Sequence, residues 1–358
     1  MNVLSVVGAR PQFVKAAAVS QQLQDDHEEV MVHTGQHYDP ELSAVFFDEL
    51  ALPEPDFQLG IGSASHARQT AEMMIELERI VDDESPDVVL VYGDTNSTVA
   101  GALVAAKSSP ALAHVEAGLR SHDWSMPEEV NRRITDHCSD LLFTPGDHAK
   151  DTLEQEGITE GVFVSGDVMY DTLLQIRDQL RATEFDGPAV PDEYVLATVH
   201  RAKNTDTRDR LEAILDAFAQ LSVPVVFPAH PRTVAALDEY GLRERAMAAT
   251  RLIDPVNYGR FITLVEGATC VATDSGGVQK EAFYLDTPCV TLRETTEWVE
   301  TVDAGWNTLV GAETEQIVDA IRAAADPPAK PDLYGSGNAA VRIVRHLEQQ
   351  VGDSGSQN

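Results

Sequence analysis

Ala111-Leu112-Ala113-His114-Val115-Glu116 is a short apolar run that ends on a carboxylate, and the chain reopens at Pro127-Glu128-Glu129 as a helical period over Glu128–Cys138. An apolar run, a polar turn and an amphipathic helix in that order make a βα unit. Cys270-Val271-Ala272-Thr273, running into Asp274-Ser275-Gly276-Gly277-Val278-Gln279-Lys280-Glu281, repeats the pattern. Outward from these two units the same alternation fills the chain. Val3–Val7, Val30–Thr34, Val88–Tyr92, Asp140–Thr144 and Val162–Ser165 read as further strands, between helical periods such as Gln12–Gln24, Ala67–Val81 and Ser97–Ala106. The turn-rich segment Glu184–Asp192 interrupts the series, which restarts at Tyr194–Val199 and continues through Val223–Phe227, Arg251–Ile253, Cys289–Leu292 and Thr308–Val310. Alternating strands and helices predict parallel sheets covered on both faces. The expected architecture is α/β, with two doubly wound Rossmann-like domains facing each other across a cleft. Residues 1–181 form the first domain and 182–336 the second, a helix at about 337–351 packs back on the first, and 352–358 form a disordered tail.

A chain of 358 residues with 43% hydrophobic content suffices for two ordinary cores. No basic start precedes a long apolar run, and no uninterrupted apolar stretch is long enough for a membrane span, so a cytoplasmic address is expected. Cys138, Cys270 and Cys289 lack metal-ligand spacing and read as reduced core residues, and no metal is expected. A formal charge of −33, with lysine only at Lys15, Lys107, Lys150, Lys203, Lys280 and Lys330, excludes a nucleic-acid binder. The acids are spread over periodic segments, as in a protein adapted to high salt, where screening removes their mutual repulsion. The few cations near a crevice then carry unusual weight for an anionic ligand.

In open parallel sheets, ligands bind outside the carboxyl ends of the strands. Gly8-Ala9-Arg10, Gly93-Asp94-Thr95-Asn96, Glu116, His200-Arg201, His230 and Ser275-Gly276-Gly277 all stand there. Ser275-Gly276-Gly277 opens a helix whose first N–H groups lack intrahelical partners, which makes an anion site or, more blandly, a Ser-capped turn. Arg10 and Lys15 straddle Pro11, a favoured first helical residue, and suit a diphosphate; Lys15 equally suits a solvated helix surface. Only Gly8 precedes Pro11, so the glycine fingerprint of a dinucleotide cofactor is missing and no cofactor is expected. His200 beside Arg201 pairs a proton donor with a fixed cation, whereas His230 reads as a site residue or a cap. Asp94, Glu116 and Glu128 are three acids near one anion site, and Asp94 also fits a helix cap. Repulsion and burial can divide such a set into an acid and a base.

These segments together resemble the non-hydrolysing UDP-N-acetylglucosamine 2-epimerase family, two-domain enzymes similar in fold to GT-B glycosyltransferases. The resemblance runs from Gly8-Ala9-Arg10-Pro11-Gln12-Phe13-Val14-Lys15 through His33-Thr34-Gly35-Gln36-His37, Gly93–Thr98, His114–Arg120, Pro127–Arg132, His200–Asn204 and Asp274–Glu281 to Gly305–Gly311. It implies a homodimer that interconverts UDP-N-acetylglucosamine and UDP-N-acetylmannosamine for surface polysaccharides. UDP is eliminated across C1–C2 to give a 2-acetamidoglucal, then added back after protonation on the other face, with no cofactor. It also implies that Asp94, Glu116 and Glu128 handle protons and that Arg10, Lys15 and His200, beside Arg201, hold the departing UDP. Ser275, Gly276, Gly277 and Glu281 would hold phosphate and ribose, and Phe261 would contact uracil. Gln36, His37, Arg68, Gln69 and Arg201 resemble an effector pocket that binds a second UDP-sugar in bacterial members.

The chain departs from the family at Thr295-Thr296-Glu297-Trp298-Val299-Glu300, where Thr-Thr-Glu-Arg-Pro-Glu is common, and Trp298 stands in for a cation. Relatives with this variant include enzymes that look like 2-epimerases of UDP-2,3-diacetamido-2,3-dideoxyglucuronate. A hydrolysing relative, a GT-B-like glycosyltransferase and a non-catalytic UDP-sugar sensor are the remaining alternatives.

Overall fold

The computed structural model describes residues 1–24, 26–36, 52–181 and 190–354. His37, the residues between it and Ala51, and most of the expected linker lie outside the described residues, as does the side chain of Arg10. The chain divides into two compact units, one formed by Met1–Leu174 with Asp332–Asn358 and the other by Gln175–Pro331.

The first unit contains strands β1 (Asn2–Val7), β2 (Glu28–His33), β3 (Phe57–Gln58), β4 (Val88–Tyr92), β5 (Ala111–Val115), β6 (Leu141–Thr144) and β7 (Val162–Val164). They form one parallel sheet in the order β3-β2-β1-β4-β5-β6-β7. This is the doubly wound order, with its switch point between β1 and β4. The β4 sequence Val-Val-Leu-Val-Tyr is buried at every residue, as expected of β-branched side chains in a sheet covered on both faces. Its register with β5 sets Tyr92 opposite Val115, so Gly93-Asp94 and Glu116 leave the sheet at one level.

The second unit contains β8 (Val195–Thr198), β9 (Val225–Pro228), β10 (Arg251–Ile253), β11 (Cys270–Thr273), β12 (Cys289–Thr291) and β13 (Asn307–Leu309), parallel in the order β10-β9-β8-β11-β12-β13. Its switch point lies between β8 and β11, where Thr198 pairs with Thr273. His200 and Ser275 therefore emerge together. Leu211, Ile214, Phe218, Phe227, Val290 and Ile317 belong to the buried core of this unit. Cys270 and Cys289 are buried and free, and burial pushes the Cys289 thiol up to about 12.

The division between units falls inside the helix Val168–Arg181 rather than at its end. The helix Ala339–Ser354 belongs to the first unit, with Ala339, Ala340, Ile343 and Leu347 buried. Asp171 caps it, accepting the backbone N–H groups of Ala339 (3.1 Å) and Ala340 (2.8 Å). The expectation of a disordered tail from residue 352 is corrected in part, because helical structure continues through Ser354. A helix already nucleated by buried turns extends at little cost where no proline stops it. Among the described residues, no helix is long and apolar enough to cross a membrane.

Candidate functional site

In the first unit, Gly8 and Ala9 leave β1 with their N–H groups bound to the Gln12 side-chain oxygen at 2.8 and 3.0 Å. Gln12 also donates to the Tyr92 carbonyl (2.8 Å) and Thr98 (3.0 Å), which locks the first helix to the end of β4. One turn on, Lys15 reaches back so that its Nζ lies 2.8 Å from Glu116 Oε1, with both side chains almost wholly buried. Burial alone would lower the lysine's pKa, but the charges of Glu116 and then Asp94 outweigh it and raise the value. Two strand-end carboxylates thus act on one ammonium. A Cβ at Gly93 would stand 3.0 Å from that Nζ, and Gly93 has φ +64°, so glycine serves both the turn and the lysine's passage.

Glu116 has φ +71°, a left-handed conformation that costs a non-glycine residue on the order of 1–3 kcal/mol. The Phe143 carbonyl holds it there by accepting the N–H groups of Glu116 and Ala117, both at 3.1 Å. Asp94 pairs with Arg132 on the helix Pro127–Cys138, and Asn131 donates to the Asp94 carbonyl at 3.0 Å. Glu128, in the first turn of that helix, is half-buried, with no ion pair or side-chain hydrogen bond among the described residues. Its neighbour Glu129 is committed elsewhere. Burial pushes the Glu129 carboxyl up, but hydrogen bonds from Ser121 and Arg133 and the charge of Arg132 bring it down to about 2.

In the second unit, Asp274 organises the switch point. Wholly buried, it accepts the N–H groups of His200 (3.0 Å) and Arg201 (2.9 Å) and the Asn204 amide (3.0 Å). The His200 Nδ1 is 3.6 Å from Asp274 Oδ1. Burial lowers the histidine's pKa, Asp274 opposes this, and His230, Arg201 and Arg232 add to the lowering. His230 accepts the Arg232 N–H at 3.1 Å and caps its helix.

Ser275 precedes the helix Gly276–Tyr284, with its own N–H bound to Thr273. A Cβ at Gly277 would meet nothing within 4 Å, whereas one at Gly276 would come 2.7 Å from Glu297. The open side at Gly277 leaves room for an anion against the first helical turn. Glu281, one turn on, accepts the Tyr258 hydroxyl at 3.0 Å, and Phe261 lies half-buried on the same helix as Tyr258. Trp298 donates its indole N–H to the Gly276 carbonyl at 2.8 Å, and the Lys280 ammonium lies 4.2 Å from the Trp298 ring centroid. The position where the sequence lacks a cation thus has a lysine stacked on the residue that replaced it.

Of the expected effector residues, Gln36 accepts the N–H and hydroxyl of Ser97 at 2.9 and 2.8 Å. Gln69 is buried, donating to the Gly62 carbonyl and accepting from Asn96. Arg68 is exposed and paired with Glu72. Sequence reasoning gave no role to Arg132, Asp136, Asp274 or Lys280. The spacing of Glu129, Arg132, Arg133 and Asp136 on one helical face was the available signal for the first two.

Residues 21–348 match the sequence profile of the family described as UDP-N-acetylglucosamine 2-epimerase. A UDP-N-acetylglucosamine 2-epimerase homolog of Methanococcus maripaludis is 50% identical, over 97% of this chain and 99% of its own. A UDP-2,3-diacetamido-2,3-dideoxy-D-glucuronate 2-epimerase of Pseudomonas aeruginosa is 46% identical over the same shares. Among solved structures, the Methanocaldococcus jannaschii UDP-GlcNAc 2-epimerase in complex with UDP-GlcNAc and UDP superposes with a TM-score of 0.79 at 39% identity, over 98% of this chain and 100% of that one. The calicheamicin glycosyltransferase CalG4 shares the fold alone, with a TM-score of 0.55 at 14% identity, over 99% of this chain and 95% of that one.

Proposed function

The chain belongs to the UDP-N-acetylglucosamine 2-epimerase family and is an isomerase of UDP-sugars; from that premise we propose that it interconverts UDP-N-acetylglucosamine and UDP-N-acetylmannosamine without hydrolysing either. The observation that carries this reading is the convergence of Glu116 and Asp94 on the buried Lys15 ammonium, with Glu128 close by in sequence and unpaired among the described residues. C2 of the sugar has no adjacent carbonyl, so removing its proton needs a simultaneous departure. One carboxylate takes the C2 proton as the C1–O bond breaks, the bonding pair leaves with UDP, and a 2-acetamidoglucal remains. A proton delivered to the opposite face of C2 and attack by a UDP oxygen at C1 complete the exchange. Reactant and product are both neutral in redox terms.

In this reading Asp94, Glu116 and Glu128 share the proton transfers, and positioned groups of this kind contribute roughly 100- to 10,000-fold. Lys15, Arg10 and His200 stabilise the negative charge that grows on the leaving diphosphate. Ser275, Gly276 and Gly277 hold phosphate, Glu281 takes ribose hydroxyls and Phe261 meets uracil. The acidic composition supports work in concentrated salt, and the proposal includes a cytoplasmic homodimer.

NMR of UDP-N-acetylglucosamine incubated with the protein in concentrated salt and D2O tests the reading. It expects deuterium at C2 and a manno isomer still joined to UDP. Free N-acetylmannosamine with UDP, turnover only with an added acceptor, or binding without exchange would each overturn it. A second reading, epimerisation of UDP-2,3-diacetamido-2,3-dideoxyglucuronate, draws on the Pseudomonas aeruginosa relative and on the Lys280 cation beside Trp298. Comparing kcat/KM for the two sugars decides between them.

A further inference from the structure

His114 is wholly buried on β5, and neither of its ring nitrogens faces water. Nε2 lies 2.7 Å from the Gly93 carbonyl and Nδ1 lies 2.7 Å from Asp136 Oδ1. A carbonyl oxygen has no proton to give, so Nε2 must donate. The second Asp136 oxygen accepts Arg120 Nη1 at 2.7 Å and the Gly118 N–H at 3.2 Å. Burial pushes the Asp136 carboxyl up, but His114 and Arg120 outweigh it and hold the group below its ordinary value, and the two donors on its second oxygen leave that oxygen unprotonated. With both of its neighbours acceptors, Nδ1 must donate as well, since its lone pair would otherwise face a negative oxygen in a dry site. Arg120 and Asp136 are the charged groups facing the ring, and Lys15 lies beyond Gly93.

The two contacts end on the two turns that carry the site's carboxylates. The Gly93 peptide is fixed from both sides by β5, its N–H bound to the Val115 carbonyl at 3.0 Å and its carbonyl bound to His114. Asp94 is the next residue. Gly118, tied to the same Asp136, belongs to the strained turn that begins at Glu116. The geometry points to His114 as a doubly protonated positioning residue, an imidazolium that clamps the Gly93 carbonyl and the Asp136 carboxylate and thereby sets where Asp94 and Glu116 stand. The consequence for catalysis rests on the reading of those two carboxylates given above.

Two measurements test this. In wild-type protein labelled with 15N-histidine, assigned by the missing signal of a variant, both ring nitrogens of His114 should carry a proton at about pH 7. One unprotonated nitrogen at neutral pH would overturn the proposal, whether or not the protein proves to be an epimerase. His114→Asn keeps a donor for Asp136 but cannot reach Gly93, whereas His114→Gln restores that reach. The first should lower kcat for C2 deuterium exchange by about 100-fold, the penalty of a displaced catalytic group, with the dissociation constant for UDP unchanged, and the second should recover most of the loss. Equal rates in the two variants, or wild-type kcat in His114→Asn, would overturn the positioning role. If a variant fails to fold, the wild-type spectrum still decides.

Discussion

Replacing Lys15 by Met should cost more than any other single change in the first unit's site, and the cost should nearly vanish from a second step. The ammonium and the Glu116 carboxylate are 2.8 Å apart, with side chains only 11% and 12% exposed. At an effective dielectric of about 20, their attraction is about 6 kcal/mol before desolvation is subtracted. Removing one partner leaves an uncompensated buried charge, typically about 3–5 kcal/mol. Asp94 also acts on Lys15, so its loss additionally leaves two carboxylates without a shared cation. We expect Lys15→Met to lose about 4 kcal/mol and Glu116→Gln about 2 kcal/mol, with the double variant losing about 3 kcal/mol less than the sum. The lysine's pKa is raised, so this contribution is complete at neutral pH and lost only as pH rises beyond its unfolded value. Urea unfolding at fixed high salt, repeated for the four members of the cycle, reads the coupling. Losses that add within about 0.5 kcal/mol would show that the pair does not interact in solution, and the convergence of charges on Lys15 would have to be abandoned.

Other expectations concern the cap, the phosphate loop and the acids. Burial, reinforced by Asp167 and opposed by two backbone N–H groups, raises the Asp171 carboxyl to about 6. Its folded pKa is above the unfolded value, so stability present at low pH is lost as pH rises from about 4 through about 6. Asp171→Asn removes that slope, and its stability relative to wild type should improve by about 1.5 kcal/mol between about pH 5 and about pH 7.5 in urea titrations. Trp298→Phe loses the indole bond to Gly276 and should weaken UDP binding by roughly 5- to 10-fold by calorimetry, as for about 1 kcal/mol; unchanged affinity would remove Trp298 from the phosphate loop. Asp94→Asn, Glu116→Gln and Glu128→Gln should each slow C2 deuterium exchange by roughly 100-fold or more, and near-normal rates in all three would dismiss the site.

Both sheets were legible because their strands are short β-branched runs set between amphipathic periods, and β4 and β11 needed no tertiary information to be recognised. The two residues of β3 were not, since so short an edge strand carries no periodicity of its own. The positions of Asp94, Glu116, His200 and Ser275 followed from the rule that ligands meet strand ends. What the chain could not announce was pairing. That Lys15 binds Glu116, that Arg132 takes Asp94, and that Asp274 gathers the His200 loop are contacts between residues far apart in sequence. Trp298 looked like a lost cation because Lys280 could be set against it only in three dimensions. The last helical residues were missed because Gly352-Asp353-Ser354 has the composition of a tail, and its helix is sustained from the turns before it.

Positional isotope exchange tests the central claim most directly. UDP-N-acetylglucosamine carrying 18O in the oxygen that bridges C1 and phosphorus is incubated with the protein, and phosphorus NMR follows the label. If UDP is released and recaptured in the site, its terminal phosphate rotates while free, and the label spreads into non-bridging positions at a rate comparable with C2 deuterium exchange. A label that remains in the bridge while the manno isomer accumulates would contradict elimination at C1.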